Sequence, residues 1–322
     1  MNGASSRRLL RGIGALLIAA PWLSLLSPVP AGAHDGPEHE IEEITVLISA
    51  RGETSELLLQ RAIEYGVLGK YTEAQQDLEH ALRLDPASLH ALRELARVQF
   101  IAGRTNEAIA TVTRALNLKS GEPIDRGGLH ILRSEFLRSS GDLPKALDDC
   151  QAGLRLHGSN PEWYLLRSEL QRRLNLTRKR LAGIEKGIAR TGAGVLEIER
   201  VEALLDDGQY RAALRWIEPE LATSRIQCRW WVRRGRARLG LGQKAAGEAD
   251  LRAALDQIEA LLNPARIDAS LLLDQATALV LLGDLEGARR CLGLARDHGV
   301  DAAVTARIQA LLDPPARASA RR

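Results

Sequence analysis

Residues that favour a left-handed turn recur along this sequence at near-constant spacing. Successive intervals are 34, 38, 34, 33, 34 and 41 residues. The turn residues are Gly69, Gly103, Gly141, Asn175, Gly208, Gly242 and Gly283. Glycine, and after it asparagine, readily takes the left-handed backbone conformation with which many helices end. The spacing therefore predicts a helical hairpin that is repeated about seven times.

Small residues stand at fixed offsets from these turns. Those seven residues before a turn are Ala62, Ala96, Ser134, Ser168, Gly235 and Ala276. Those five residues after a turn are Ala74, Ala108, Ala146, Ala213, Gly247 and Ala288. Larger apolar residues lie between them on the same helical faces, so the two helices of each hairpin are predicted to pack closely. With aromatic residues at only 3%, the composition also favours helices over sheets.

The pattern resembles the tetratricopeptide repeat. The first unit carries it best, through Leu58, Ala62, Tyr65, Gly69, Tyr71, Ala74, Leu78, Ala81 and Pro86. The chain also resembles exported bacterial proteins of this type. The resemblance implies an all-α fold. We expect a right-handed α-solenoid of about seven tetratricopeptide-type hairpins that ends in a C-terminal capping helix.

The register predicts the boundaries of the units. The repeats are expected at 55–88, 89–122, 127–160, 161–193, 194–227, 228–262 and 269–298. A lead-in with a first helix is expected at 34–54, a capping helix at 299–313 and a disordered tail at 314–322. The two long intervals are assigned to loops over 119–128 and 263–268.

Two residues interrupt the pattern of the middle repeats. Pro219 is predicted to kink or end the second helix of the fifth unit, because proline cannot donate the backbone hydrogen bond. Arg180 replaces a small residue in the fourth unit, which predicts looser packing there.

Residues 1–33 are predicted to be an export signal. Three arginines over 7–11 precede an uncharged stretch, and small residues at 31–33 form a cleavage site. Cleavage would leave His34 at the start of a periplasmic or extracellular protein. The arginines resemble a twin-arginine signal, although the general secretion route would also accept them. A membrane anchor is the alternative, but Pro21 interrupts the apolar run.

Charge and cysteine content exclude several classes of protein. The predicted signal carries three arginines and no acid, so the remainder has 44 − 3 = 41 basic residues against 41 acidic residues. A neutral chain of this kind does not favour nucleic acid as a partner. Cys150, Cys228 and Cys291 do not have the spacing of a disulfide framework or a metal site, and Cys150 and Cys291 are expected to be small core residues.

The resemblance implies that the first helices line a concave groove, which binds a protein or peptide partner. The side chains expected on that face are Arg93, Arg97, Phe100, Glu135, Arg138, Glu169, Arg172, Glu202, Arg229 and Arg236. The alternative is a solvated face on which the glutamates neutralise the arginines. Lysine and asparagine of the family's carboxylate clamp are absent from these places.

A second set of arginines lies eight residues before the turns. Its members are Arg61, Arg133, Arg167, Arg200 and Arg234. Their stems are expected to pack between helices while the guanidinium groups reach neighbouring acids. Direct contact with a ligand is the alternative.

The remaining hypothesis concerns metal. A chain that begins at His34 would combine a free α-amine with the imidazoles of His34 and His39, which suit copper or zinc. A polar lead-in to the first helix is the alternative. The sequence contains no phosphate-binding loop, no HExxH motif and no recognisable set of nucleophile, base and acid. We therefore expect a non-catalytic scaffold without a cofactor, and a metal-binding accessory protein as the alternative.

Overall fold

The computed structural model describes residues 36–118, 120–263, 268–300 and 302–312. Sixteen helices and no strand element occur in these ranges. They are α1 (Pro37–Arg51), α2 (Ser55–Val67), α3 (Tyr71–Leu84), α4 (Leu89–Ile101), α5 (Thr105–Asn117), α6 (Pro123–Ser139), α7 (Leu143–Leu156), α8 (Pro161–Arg173), α9 (Thr177–Thr191), α10 (Gly194–Asp206), α11 (Tyr210–Thr223), α12 (Cys228–Gly240), α13 (Lys244–Leu261), α14 (Ala269–Leu282), α15 (Leu285–Asp297) and α16 (Ala302–Leu312). The predicted export signal, His34 and the tail at 314–322 lie outside the described residues.

The predicted turns are confirmed by the backbone. All seven turn residues have positive φ, from 57° at Asn175 to 90° at Gly283. At the first turn the amide of Lys70 donates to the carbonyl of Tyr65 at 2.8 Å, which closes the end of α2. Each turn thereby connects the first helix of a hairpin to the second.

The small residues lie where the helices of a hairpin meet. The alanines five residues after the turns are fully buried, and so are the larger apolar residues Leu58, Leu78 and Leu92. In the sixth hairpin both small positions are glycine, and a Cβ atom on Gly247 would lie 2.9 Å from the carbonyl oxygen of Gly235. Glycine is required there because the two backbones approach so closely.

The helices form two compact units that meet in sequence between Ala203 and Leu204. The N-terminal unit contains α1 to α9 and most of α10, and its core runs through Leu92, Phe136 and Tyr164. The C-terminal unit contains the end of α10 and α11 to α16. There α16 packs against α14 and α15 through Ile308 and Leu312, which confirms the capping helix.

The loop predicted over 119–128 is wrong in its second half, because α6 begins at Pro123. Proline suits the first turn of a helix, where its missing N–H has no intrahelical partner. Gly127 is then buried within the helix, and a Cβ atom there would meet the Trp163 ring at 3.2 Å. The extra residues of this repeat lengthen a helix.

Pro219 does not end α11, which continues to Thr223. The proline lies on the exposed side of the helix, while Ile217 and Leu221 on either side of it are buried. Proline leaves the carbonyl of Arg215 without an intrahelical donor, and Arg215 is itself an exposed residue. The buried residues hold the helix against its core.

Arg180 fills the place that alanine or glycine takes in the other hairpins. Its side chain is 3% exposed and donates to Ser168 Oγ at 2.8 Å and to Glu199 Oε1 at 2.5 Å. The fourth hairpin therefore contains a buried ion pair where the others contain apolar contact.

The structural role predicted for the second arginine set is confirmed in three hairpins. Each arginine forms a bidentate ion pair with the aspartate sixteen residues later. The pairs are Arg61–Asp77, Arg133–Asp149 and Arg234–Asp250. Each guanidinium also reaches a polar side chain on the preceding helix, namely Thr45, Thr113 or Glu218. These arginines therefore tie three helices together. The aspartates, which sequence analysis missed, are recognisable from that constant spacing.

The three cysteines are free and buried, which agrees with the core role expected of Cys150 and Cys291. Burial raises the pKa of the Cys150 thiol to about 12. Within the described ranges, no helix has the length and apolarity needed to span a bilayer.

Candidate functional site

The residues predicted to contact a partner all lie on first helices and are all partly exposed. Helices α4, α6, α8 and α10 carry Arg93, Arg97, Phe100, Glu135, Arg138, Glu169, Arg172 and Glu202 within the N-terminal unit. We call this set the N-terminal binding face. Arg229 and Arg236 lie on α12, in the C-terminal unit.

On α4 one carboxylate serves two of the predicted arginines. Glu94 accepts from Arg93 Nε at 2.9 Å and from Arg97 Nη1 at 3.1 Å. The Glu94 side chain is only 16% exposed. Sequence analysis did not name Glu94, which lies between the two arginines and neutralises part of their charge.

An aromatic pair joins α4 to α6. The rings of Phe100 and Phe136 are stacked, with 4.5 Å between their centroids. Phe136 is buried in the core, whereas Phe100 is partly exposed at its edge. The pair places an accessible apolar surface beside the charged residues of α4.

A second ion pair joins α6 to α8. Arg138 Nη1 donates to Glu169 Oε2 at 2.9 Å, and both side chains are about one-fifth exposed. Arg173 Nη1 also lies 3.6 Å from Glu169 Oε1. Glu169 therefore lies within ion-pair distance of two arginines, Arg138 and Arg173. Ion pairs of this exposure contribute little to folding stability and can be exchanged for others.

The two predicted residues of the C-terminal unit are also paired. Arg229 donates to Ser270 and lies 3.5 Å from Asp268, while Arg236 lies 2.7 Å from Asp206. Arg307 of α16 also reaches Asp206, at 2.9 Å. The arginine-rich stretch of α12 is thus neutralised within its own unit.

Only His39 of the two predicted metal ligands lies within the described residues. His34 lies outside the described residues, and His39 Nε2 lies 3.1 Å from Glu43 Oε1 on the next turn of α1. No group of three or more histidine, cysteine or acidic side chains with metal-binding geometry occurs in the described part of the chain. Metal binding at the N-terminus stays a prediction.

Comparison with known proteins agrees with this architecture. A family model described as the ETO1 C-terminal domain matches residues 38–176. Tetratricopeptide repeat protein 34 of Homo sapiens is 26% identical over 256 residues, which cover 70% of this chain and 45% of that protein. ETO1-like protein 1 of Arabidopsis thaliana is 35% identical over 97 residues, which cover 30% of this chain and 10% of that protein.

A solved structure decides the fold. The crystal structure of a tetratricopeptide repeat protein from Parabacteroides merdae ATCC 43184 aligns with a TM-score of 0.58 and 18% identity, over 80% of this chain and 98% of that one. This chain has the tetratricopeptide repeat fold. The repeated hairpins predicted from the turn spacing and the tetratricopeptide-type fold that the resemblance implies are thereby confirmed. The chain spans less than half the length of the two curated relatives.

Proposed function

We propose that this tetratricopeptide repeat protein is a non-catalytic scaffold that holds a protein or peptide partner on its N-terminal binding face. The observation that carries the proposal is the partly exposed Phe100, which is stacked on a buried ring and shares this face with two ion pairs. Protein interfaces usually have aromatic anchors near the centre and a polar rim around them.

The charge pattern of the face defines the kind of partner. Arg97 and Arg138 alternate with Glu94 and Glu169, so the face offers both signs of charge at short range. A partner segment with an apolar side chain between charges of mixed sign would seat the apolar group on Phe100 and exchange ion pairs at the rim. A strongly acidic partner is disfavoured because the arginines already have carboxylates nearby.

Alanine at Arg93, Arg97 and Phe100 together should reduce recovery of a partner by at least about tenfold, since central aromatic and arginine residues often contribute 2 kcal/mol or more to binding. The measurement is quantitative mass spectrometry of proteins captured from a cell-envelope extract. Circular dichroism would first establish that the variant is folded.

A matched control likewise removes two arginines and one aromatic residue, from second helices of the same unit. Tyr71, Arg83 and Arg178 are exposed on α3 and α9, and their triple alanine variant should capture the partner as the unchanged protein does. Equal recovery by the two triple variants would contradict the binding face.

We further propose that the protein acts outside the cytoplasm after removal of residues 1–33. The support is the arrangement of arginines, apolar stretch and small residues in the sequence. Mass spectrometry of the protein from the envelope and the medium should give an N-terminal peptide that begins at His34. Retention of residues 1–33 in that material would contradict cleavage and would also remove the α-amine from the metal hypothesis.

A further inference from the structure

A pocket of about 290 Å³ lies between α7, α8 and α9 of the N-terminal unit. Four of its lining side chains are cationic: Arg155, Arg167, Lys179 and Lys186. No aspartate or glutamate lines it, and none of the four cations has an ion pair with a described residue. Positive charge is therefore concentrated here without internal compensation, in contrast to the paired arginines of the N-terminal binding face.

Arg167 belongs to the arginine set that pairs with aspartate in three other hairpins. Sixteen residues after Arg167, where aspartate would stand, the chain has Gly183. The guanidinium donates from Nη2 to the Gly183 carbonyl at 2.5 Å and lies over the Tyr164 ring at 4.9 Å from its centroid. A Cβ atom on Gly183 would come within 2.7 Å of Nη2. Arg167 thus lies over the point from which the missing carboxylate would project.

The missing carboxylate has an electrostatic consequence. The hydrogen bonds that Arg61 and Arg234 donate to Asp77 and Asp250 raise the pKa of these two arginines. Burial lowers the pKa of Arg167, and no carboxylate offsets it. A charged group that is desolvated in this way gains from an anion brought into contact with it.

The pocket also contains a buried neutral group without a partner. Gln171 lines it, is 4% exposed, and its Oε1 atom has no hydrogen bond to any described residue. Because the oxygen and nitrogen of a side-chain amide exchange places by a flip, this group can present donors to an anion.

We propose that the pocket between α7, α8 and α9 binds the phosphate group of a small molecule or free phosphate. The planar fork of Arg167 suits two oxygens of one oxyanion, as it suits the aspartate in the other hairpins. Four cations favour a group with a charge near −2 over a single carboxylate. This site is separate from the N-terminal binding face, and it adds a ligand to the proposed scaffold.

The test is a calorimetric titration of the full chain with inorganic phosphate at constant ionic strength. Phosphate should bind saturably, and acetate at the same ionic strength should bind at least about tenfold more weakly. A parallel titration with glycerol 3-phosphate identifies the source: tighter binding than phosphate indicates an organic phosphomonoester, and equal binding indicates free phosphate.

Gly183→Asp places a carboxylate sixteen residues after Arg167, where three other hairpins have aspartate. It should weaken phosphate binding by at least about tenfold, because this carboxylate would compete for the guanidinium. Ala110→Asp, on the exposed side of α5, makes the same change in charge and should leave the affinity within about twofold. Lys179→Gln combined with Lys186→Gln leaves the packing of Gly183 intact and should weaken binding by about five- to tenfold.

Three results would overturn the site. They are an absence of saturable phosphate binding, equal affinity for acetate and phosphate, and unchanged affinity in both the Gly183→Asp and the double lysine variants. Partner capture through the N-terminal binding face does not depend on any of them, so failure of the phosphate site leaves the scaffold proposal standing.

Discussion

Replacing Arg180 with alanine should lower the free energy of unfolding by about 3–5 kcal/mol, even though alanine is the residue most hairpins have at this position. The change leaves Glu199, whose side chain is 20% exposed, without its guanidinium partner. It also removes the donor to the buried Ser168 hydroxyl and opens a cavity between α8 and α9. The measurement is urea unfolding followed by circular dichroism.

Arg178→Ala is the matched control, because Arg178 lies on the same helix with its side chain exposed. Its cost should stay within about 0.5 kcal/mol. A double variant that also carries Glu199→Ala should be less destabilised than the sum of the two single variants, because the uncompensated charge has been removed. Equal costs for Arg178→Ala and Arg180→Ala would show that the buried pair does not stabilise the hairpin.

The turn spacing was sufficient to predict the hairpins because each turn depends on one residue. A left-handed φ is costly for most side chains, so Gly69 or Asn175 marks a turn wherever it recurs in register. The start of α6 was harder to predict, since Gly127 and Gly128 favour a loop by intrinsic propensity. Contact between Gly127 and Trp163 of the next hairpin overrides that propensity.

The pairing of the surface charges could not be predicted in the same way. Arg236 pairs with Asp206, thirty residues earlier, and Arg138 pairs with Glu169, thirty-one residues later. Which residues at such sequence separations come into contact depends on how neighbouring hairpins stack. Periodicity placed the predicted residues on first helices but could not show which charges were already neutralised.

The constant arginine–aspartate spacing connects stability to binding in this fold. Where the aspartate is present, as at Asp149, the arginine ties helices together. Where it is replaced by Gly183, the same arginine lines an open cationic pocket. One substitution in a repeated pair therefore converts a structural contact into a candidate binding site, and the cost of losing that contact can be measured at the intact pairs.

Asp149→Ala should lower the free energy of unfolding near neutral pH by about 3 kcal/mol. The Asp149 carboxylate accepts from Arg133 at 2.6 and 2.8 Å and lies 2.9 Å from His130 Nδ1, and its side chain is 8% exposed. Its loss leaves the Arg133 guanidinium partly buried, with the Thr113 hydroxyl as its one remaining hydrogen-bond partner among the described residues. Urea unfolding at pH 7 measures the cost, and Asp148→Ala, at the exposed neighbouring position, is the control.

The cost of Asp149→Ala should also depend on pH. Burial raises the pKa of Asp149, but hydrogen bonds from Arg133 and His130 outweigh it and leave the pKa below its ordinary value. A carboxyl group with a lowered pKa in the folded state stabilises the fold above its ordinary pKa of about 3.9 and loses that contribution as the pH falls through the lowered value. The difference between Asp149→Ala and the unchanged protein should therefore shrink between pH 7 and about pH 3. A difference that stays constant over this range would show that Asp149 stabilises α6 and α7 by packing and not through its charge.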